Sequence, residues 1–382
     1  MTPSPNRKED RQLNGRRSYQ SRLLLVVFAA LTLGLSGCGS VTTSWTGITV
    51  VNDRVYAADL NSVQVLLAAD GSPIWSYPSD PDQSRESFYA APAVGEGYVV
   101  AASKTPSSGI LGQDTHTIRG LDAETGLEIW RFDEAIGEYI EGGAIGEGVF
   151  VIGSSDGSIY ALELESGDLL WTFQTGHRVW ASPLIVEDVV YMGSTDRHLY
   201  ALGLFEGELR WDFQGGGAFA GTPALWERTL FIGAFDDTLY AIDADTGTEV
   251  WSLGSDNWFW GSPTVYGDTL YATDVGGRVY AIDPRSGEEI WHVDLDTPVR
   301  AGPALSDDGE RLLVASQGGG LHSLLAADGH EVWVDVNQAQ LYSSPIISGS
   351  VAYQPLLYGQ YRIRALQLED KREVWAYPPP AD

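Results

Sequence analysis

Acids, histidines and one thiol are the side chains here that could do covalent or metal chemistry, and their spacing decides what they can do. Asp243, Asp245 and Glu249 suggest a calcium loop, but the run has neither the third ligand nor the length of an EF-hand loop. They read as turn and surface acids. The six histidines, His116, His177, His198, His292, His322 and His330, lack metal-ligand spacing, and no P-loop is present to cradle a phosphate. No catalytic residue and no metal site is expected. A second set offers recognition instead. Phe88, Tyr89, Tyr139, Trp180, Phe219, Trp258, Phe259, Trp260 and Tyr342 recur shortly ahead of a series of prolines, interleaved with Arg85, Glu141, Arg178 and Arg300. Aromatic rings and guanidinium groups give rigid, amphipathic contact area, the usual chemistry of protein-recognition hot spots. The same set could stack a flat ligand or a sugar, or simply plug a narrow opening.

The only thiol is Cys38, so no intramolecular disulfide can form. It follows Leu35-Ser36-Gly37, at the end of an apolar run from Leu23 to Leu35 that is itself preceded by a basic region ending at Arg22. These are the three parts of an export signal, and the run is too short for a stop-transfer helix of about 20 apolar residues. Leu35-Ser36-Gly37-Cys38 resembles the bacterial lipobox, in which the cysteine is acylated and becomes the new N-terminus. Residues 1–37 are therefore read as a lipoprotein signal peptide and 38–44 as a lipidated (palmitate-type) tether, holding the chain outside the cytoplasm on a bacterial membrane or cell surface. Beyond residue 37 the chain carries 17 basic and 50 acidic residues, a net charge of −33. Such a surface repels phosphate backbones and anionic lipid. Nucleic acid is thus excluded as a partner, and contact with the membrane is left to the lipid alone.

The elements that must position the aromatic set come from an internal repeat. Trp75, Trp130, Trp171, Trp211, Trp251, Trp291, Trp333 and Trp375 are spaced by 55, 41, 40, 40, 40, 42 and 42 residues. Glycine stands four residues before seven of them: Gly71, Gly126, Gly167, Gly207, Gly247, Gly287 and Gly329. Lys371 takes that place in the last copy, whose turn is expected to be made differently. Most of the tryptophans are followed twelve residues later by Pro183, Pro223, Pro263, Pro303 or Pro345. Each copy supplies four short strands separated by turn residues. The glycine suits a tight hairpin that needs positive φ. The tryptophan, on the outer strand, can cover the gap to the adjoining sheet while its N–H finds an acceptor. A lone four-stranded sheet leaves both apolar faces bare, whereas eight arranged radially cover one another. The fold expected is all-β, an eight-bladed β-propeller of four-stranded antiparallel blades over residues 45–377. Residues 378–382 form a Pro-rich tail. Each blade is expected to be contiguous in sequence, with no swapped strand to lock the circle. The second copy holds 15 extra residues, around Ser79–Gln83 and within Lys104–Thr117, both loop-like in composition.

The clearest copies, Ala241-Ile-Asp-Ala-Asp-Thr-Gly-Thr-Glu-Val-Trp251 and Ala281-Ile-Asp-Pro-Arg-Ser-Gly-Glu-Glu-Ile-Trp291, resemble the pyrroloquinoline-quinone (PQQ) propeller repeat, and the resemblance covers essentially residues 45–377. It implies membership of a group that holds both quinoprotein alcohol dehydrogenases and cofactor-free assembly lipoproteins. Catalytic members carry adjacent cysteines over the quinone and a carboxylate cluster for Ca²⁺, and this chain has no cysteine besides Cys38. The resemblance therefore implies the cofactor-free branch. That is a monomeric, non-catalytic scaffold that binds other envelope or secreted proteins, with no cofactor. Two alternatives stay open: a quinoprotein dehydrogenase with PQQ and Ca²⁺, and a small-ligand or carbohydrate sensor.

Overall fold

A computed structural model describes residues 47–81, 84–107, 112–337, 339–357 and 360–378. The leader, Cys38, the tether, the Trp45-Thr46 start of the ring and the final prolines Pro379 and Pro380 lie outside the described residues. The described residues form eight antiparallel sheets, seven of them four strands in sequence order; in the second, Ser87–Phe88 and Ala93–Gly95 both pair with Tyr98–Thr105. The fifth is typical: Ala224–Trp226, Thr229–Gly233, Thr238–Asp243 and Glu249–Gly254, counted from the axis outward. Blades 1 to 8 span 47–77, 87–132, 144–174, 184–214, 224–254, 264–294, 304–336 and 346–377. The chain is an eight-bladed β-propeller, each blade contiguous in sequence.

Burial explains the strand sequences. A middle strand lies between two neighbouring blades, so both of its faces are covered; Val149–Gly153 is buried throughout. An outer strand faces solvent, and Glu249–Gly254 alternates between exposed and partly buried positions. In every blade the outer pair also carries a bulge, as where the register slips between Ala241↔Trp251 and Ile242↔Glu249. The extra residue, here Val250, is left exposed, and the added twist swings the tryptophan onto the next blade.

That tryptophan is the seam. The Trp251 N–H donates to the Pro284 carbonyl of blade 6 at 3.0 Å, and its ring lies against Gly287, where a β-carbon would meet Cδ2 at 2.7 Å. The glycine serves twice: its φ of +73° closes the hairpin, and its bare Cα makes room for the ring. Asp243 caps the equivalent turn in blade 5 by accepting from the backbone amides of Asp245 and Thr246 at 3.1 and 2.9 Å. Asp243 thus serves as a turn acid, as its sequence context suggests. The same seam joins the ends of the ring without an exchanged strand. The Trp375 N–H donates to the Ala68 carbonyl at 2.8 Å, and the Tyr353 hydroxyl donates to the same oxygen at 3.2 Å.

Two expectations need correction. Lys371 does not change its turn: it adopts φ +55° and donates its amide to Gln367 O at 2.9 Å, as the glycines do in the other copies. A non-glycine residue bears the left-handed conformation at a cost of about 1–2 kcal/mol, and the Lys371 ammonium gains the Val334 carbonyl at 2.9 Å. The second insertion of blade 2, within Lys104–Thr117, is not simply a loop. The ladder between Tyr98–Thr105 and Thr115–Asp122 runs on through Lys104↔His116 and Thr105↔Thr115. Ser87–Phe88, just past the first insertion, then pairs with Lys104 and Ser103. Polar composition suggested a loop, but paired backbone groups extend the strands regardless of side-chain polarity. Arg119, buried at 4 % side-chain exposure, ties this extension together through Ser103 at 2.6 Å and Glu86 at 2.5 Å.

Candidate functional site at the channel mouth

The segments that enter the innermost strands are extended, so alternate residues face opposite ways. Phe88, Tyr139, Val179, Phe219, Phe259, Val299 and Leu341 are all buried at 2 % or less and pack between blades. Each next residue, Tyr89, Ile140, Trp180, Ala220, Trp260, Arg300 or Tyr342, lines the central cavities. Of the rim set expected from sequence, the structure brings together Tyr89, Trp180, Trp260, Arg300 and Tyr342. It places Phe88, Tyr139, Phe219 and Phe259 in the inter-blade core, where no ligand reaches them. The aromatic rings alternate around the ring: blades 2, 4, 6 and 8 present Tyr89, Trp180, Trp260 and Tyr342, while blades 3, 5 and 7 present Ile140, Ala220 and Arg300.

Two cavities share the walls Ile140, Glu141, Ala220 and Trp260. The deeper, about 210 Å³, holds Tyr89, Arg300, Tyr342 and the small residues Gly221, Ser262 and Ser344. The outer, about 570 Å³, opens between Ile136, Glu138, Ser155, Arg178 and Trp180, with His116 at its wall. Ile136 is 79 % exposed and Trp258 42 % exposed at this end. Trp258 stacks on Phe235 with centroids 5.0 Å apart, and Phe235 also meets Trp260 at 4.9 Å. Arg178 and Arg85 are exposed.

Electrostatics sorts the polar groups. The Arg300 guanidinium lies over Trp260 at 5.0 Å and Tyr342 at 5.5 Å. Glu141 lines the channel with its side chain exposed to the channel's water, while the protein crowded around the channel pushes its carboxyl up to about 7. Desolvation also raises Tyr89, to about 12, and Tyr139 far above the usual phenol range, so both stay neutral. Lys104 bridges Glu138 at 2.5 Å and Asp114 at 2.9 Å. His116 is 6 % exposed, neither of its ring nitrogens has a partner among the described residues, and burial holds it below the ordinary imidazole range.

Sequence reasoning missed Ile136, Glu138, Ile140, Phe235 and His116. Strand parity counted back from the prolines would have found Ile140, but the others come from turns without a fixed offset. It also passed over Gly153-Ser154-Ser155-Asp156-Gly157, which has the letters of a Gly-x-Ser-x-Gly nucleophile elbow. That motif needs a strand-to-helix turn, and here it joins two antiparallel strands, Val149–Gly153 and Ser158–Glu163. The Ser155 hydroxyl accepts from the Glu138 amide at 2.7 Å, an arrangement that fixes a loop rather than activating a nucleophile. Among the described residues, no group of three His, Cys, Asp or Glu side chains could hold a metal ion.

The structure is an eight-bladed β-propeller whose channel is lined at one end by aromatic side chains. Family comparison narrows the class. The model described as outer membrane protein assembly factor BamB matches residues 35–141, 114–220, 205–283 and 275–381, and the chain belongs to that family. A protein of that name from Xanthomonas campestris pv. campestris is 24% identical over 169 residues, which are 42% of this chain and 39% of that protein. The crystal structure of BamB from Moraxella catarrhalis superposes with a TM-score of 0.66 at 21% identity, over 81% of this chain and 90% of that one. The computationally designed Ika8 protein gives a TM-score of 0.71 at 14% identity, over 85% of this chain and 96% of its own. The last two likenesses show the fold.

Proposed function

We propose that this chain is a non-catalytic, monomeric scaffold that serves in outer membrane protein assembly, held outside the cytoplasm by a lipid on Cys38, and that it binds partner envelope proteins at the channel mouth. The observation that carries the docking site is the stack of exposed Trp258 on half-buried Phe235 and Trp260, with exposed Ile136 and Arg178 around the cavity that Trp260 borders. Large apolar side chains left in water beside a cation are the makings of a protein hot spot, and the ring behind them is rigid, so little order has to be gained on binding. Family membership supports the assembly role, and Leu35-Ser36-Gly37-Cys38 after its apolar run supports the anchor. The quinoprotein alternative finds little support. The chain has one cysteine, far from the channel in sequence, and Glu141 is the only carboxylate bordering the deeper cavity among the described residues.

A photo-crosslinking amino acid placed at position 258 in intact cells tests this reading. It should capture a discrete envelope protein, while the same group at position 250 on the outer wall should not. Equal capture from both positions, or none from 258, overturns the docking site.

A further inference from the structure

The deeper cavity contains one carboxylate and one guanidinium that do not meet. Glu141 belongs to blade 3 and Arg300 to blade 7, which stand opposite each other in an eight-membered ring. Neither forms an ion pair or a side-chain hydrogen bond with another described residue, although both border the same space of about 210 Å³. Elsewhere in this protein cations near carboxylates pair with them, as Arg119 does with Glu86 and Lys104 with Glu138. Two opposite charges on facing sides of one channel, neither of them paired, are each free to take a counter-charge from a ligand. Arg300 cannot swing across to Glu141 without leaving the rings of Trp260 and Tyr342, over which it lies at 5.0 and 5.5 Å.

From this we infer that the channel binds a small zwitterion, of the class of a free amino acid or a short peptide, with its ammonium on Glu141, its carboxylate on Arg300 and its side chain among Tyr89, Trp260 and Tyr342. A ligand of one sign fits less well. A simple anion would meet Glu141 in the same narrow space, and a simple cation would meet Arg300. A zwitterion answers both. The volume suits it: about 210 Å³ of space open to water is many times the ~10–15 Å³ that one water needs by the same measure, enough for a small ligand. The outer cavity, sharing Trp260 and Glu141, gives a way in. This inference stands apart from docking at the mouth.

The test uses the purified full-length chain, screened by thermal unfolding against the free amino acids and against phenylalanine-containing dipeptides, followed by calorimetry on those that stabilise it. At a ligand concentration about a hundred times its Kd the midpoint should rise by a few degrees. The N-acetylated and the C-amidated forms of the same ligand should each bind at least tenfold more weakly. Glu141→Gln should abolish the preference for a free ammonium, and Arg300→Gln the preference for a free carboxylate; Arg300→Lys should keep part of the latter. No stabilisation by any of these compounds, or equal binding of blocked and unblocked forms, overturns the inference and leaves crosslinking at position 258 unaffected.

Discussion

Trp375→Ala removes the side chain that closes the circle. Trp375 is 7 % exposed, its ring covers Gly71 closely enough that a β-carbon there would meet Cδ2 at 2.8 Å, and its N–H donates to Ala68 O. Truncating a buried tryptophan costs about 3–5 kcal/mol. The lost hydrogen bond adds little, because Tyr353 still donates to the Ala68 oxygen; the indole's bulk dominates the loss. Trp375→Phe keeps most of that bulk and should cost about 1–2 kcal/mol, chiefly through the smaller ring. Against a total stability of about 5–15 kcal/mol, the alanine variant should show a much lower guanidinium midpoint. Its amide exchange should quicken first in strands Gly47–Val51 and Glu373–Tyr377, since no shared strand holds the two end blades together. Val374→Ala, at the exposed bulge position next to it, should stay within about 0.5 kcal/mol of the parent. If Trp375→Ala costs no more than Val374→Ala, the tryptophan seam does not hold the ring and the reasoning fails.

Two further outcomes follow from the site and the leader. The carboxyl of Glu141 sits near 7 in the folded chain against about 4.3 when unfolded. Between those values the unfolded state loses its proton first, so stability falls as pH rises through this window and levels off above it. Glu141→Gln should therefore gain in unfolding midpoint relative to the parent as pH goes from 4 to 8, and a pH-independent difference between the two would contradict that environment. Cys38→Ala should move the chain from the membrane fraction to the soluble extracytoplasmic fraction, and persistence in membranes would show that something other than the lipid holds it.

The fold was legible because one physical demand recurs eight times. An indole must lie on a residue of positive φ in the next blade, which fixes both the tryptophan interval and the glycine four residues ahead of it. Lys371 shows where residue type and backbone conformation part: the seam demands the conformation, and lysine can adopt it. The site was half legible. Counting back from the prolines found the right segments, but hydrophobicity alone could not separate Trp180 and Trp260, which face the channel, from Phe219 and Phe259, which pack between blades; one position of strand parity decides it. The strand extension of blade 2 was hidden because Lys104, Thr105 and His116 carry a loop's composition while their backbones pair. The opposition of Glu141 and Arg300 depends on the closed circle, and no local pattern announces it.

On the proposed function, the mouth aromatics hold a partner. The most direct measurement is the affinity of the purified chain for the protein captured at position 258, compared among the parent, Trp180→Ala and Trp260→Ala. Each substitution should weaken binding at least tenfold while leaving the ring folded. Unchanged affinity in both variants would mean that these rings only fill the channel, and that the partner is held elsewhere.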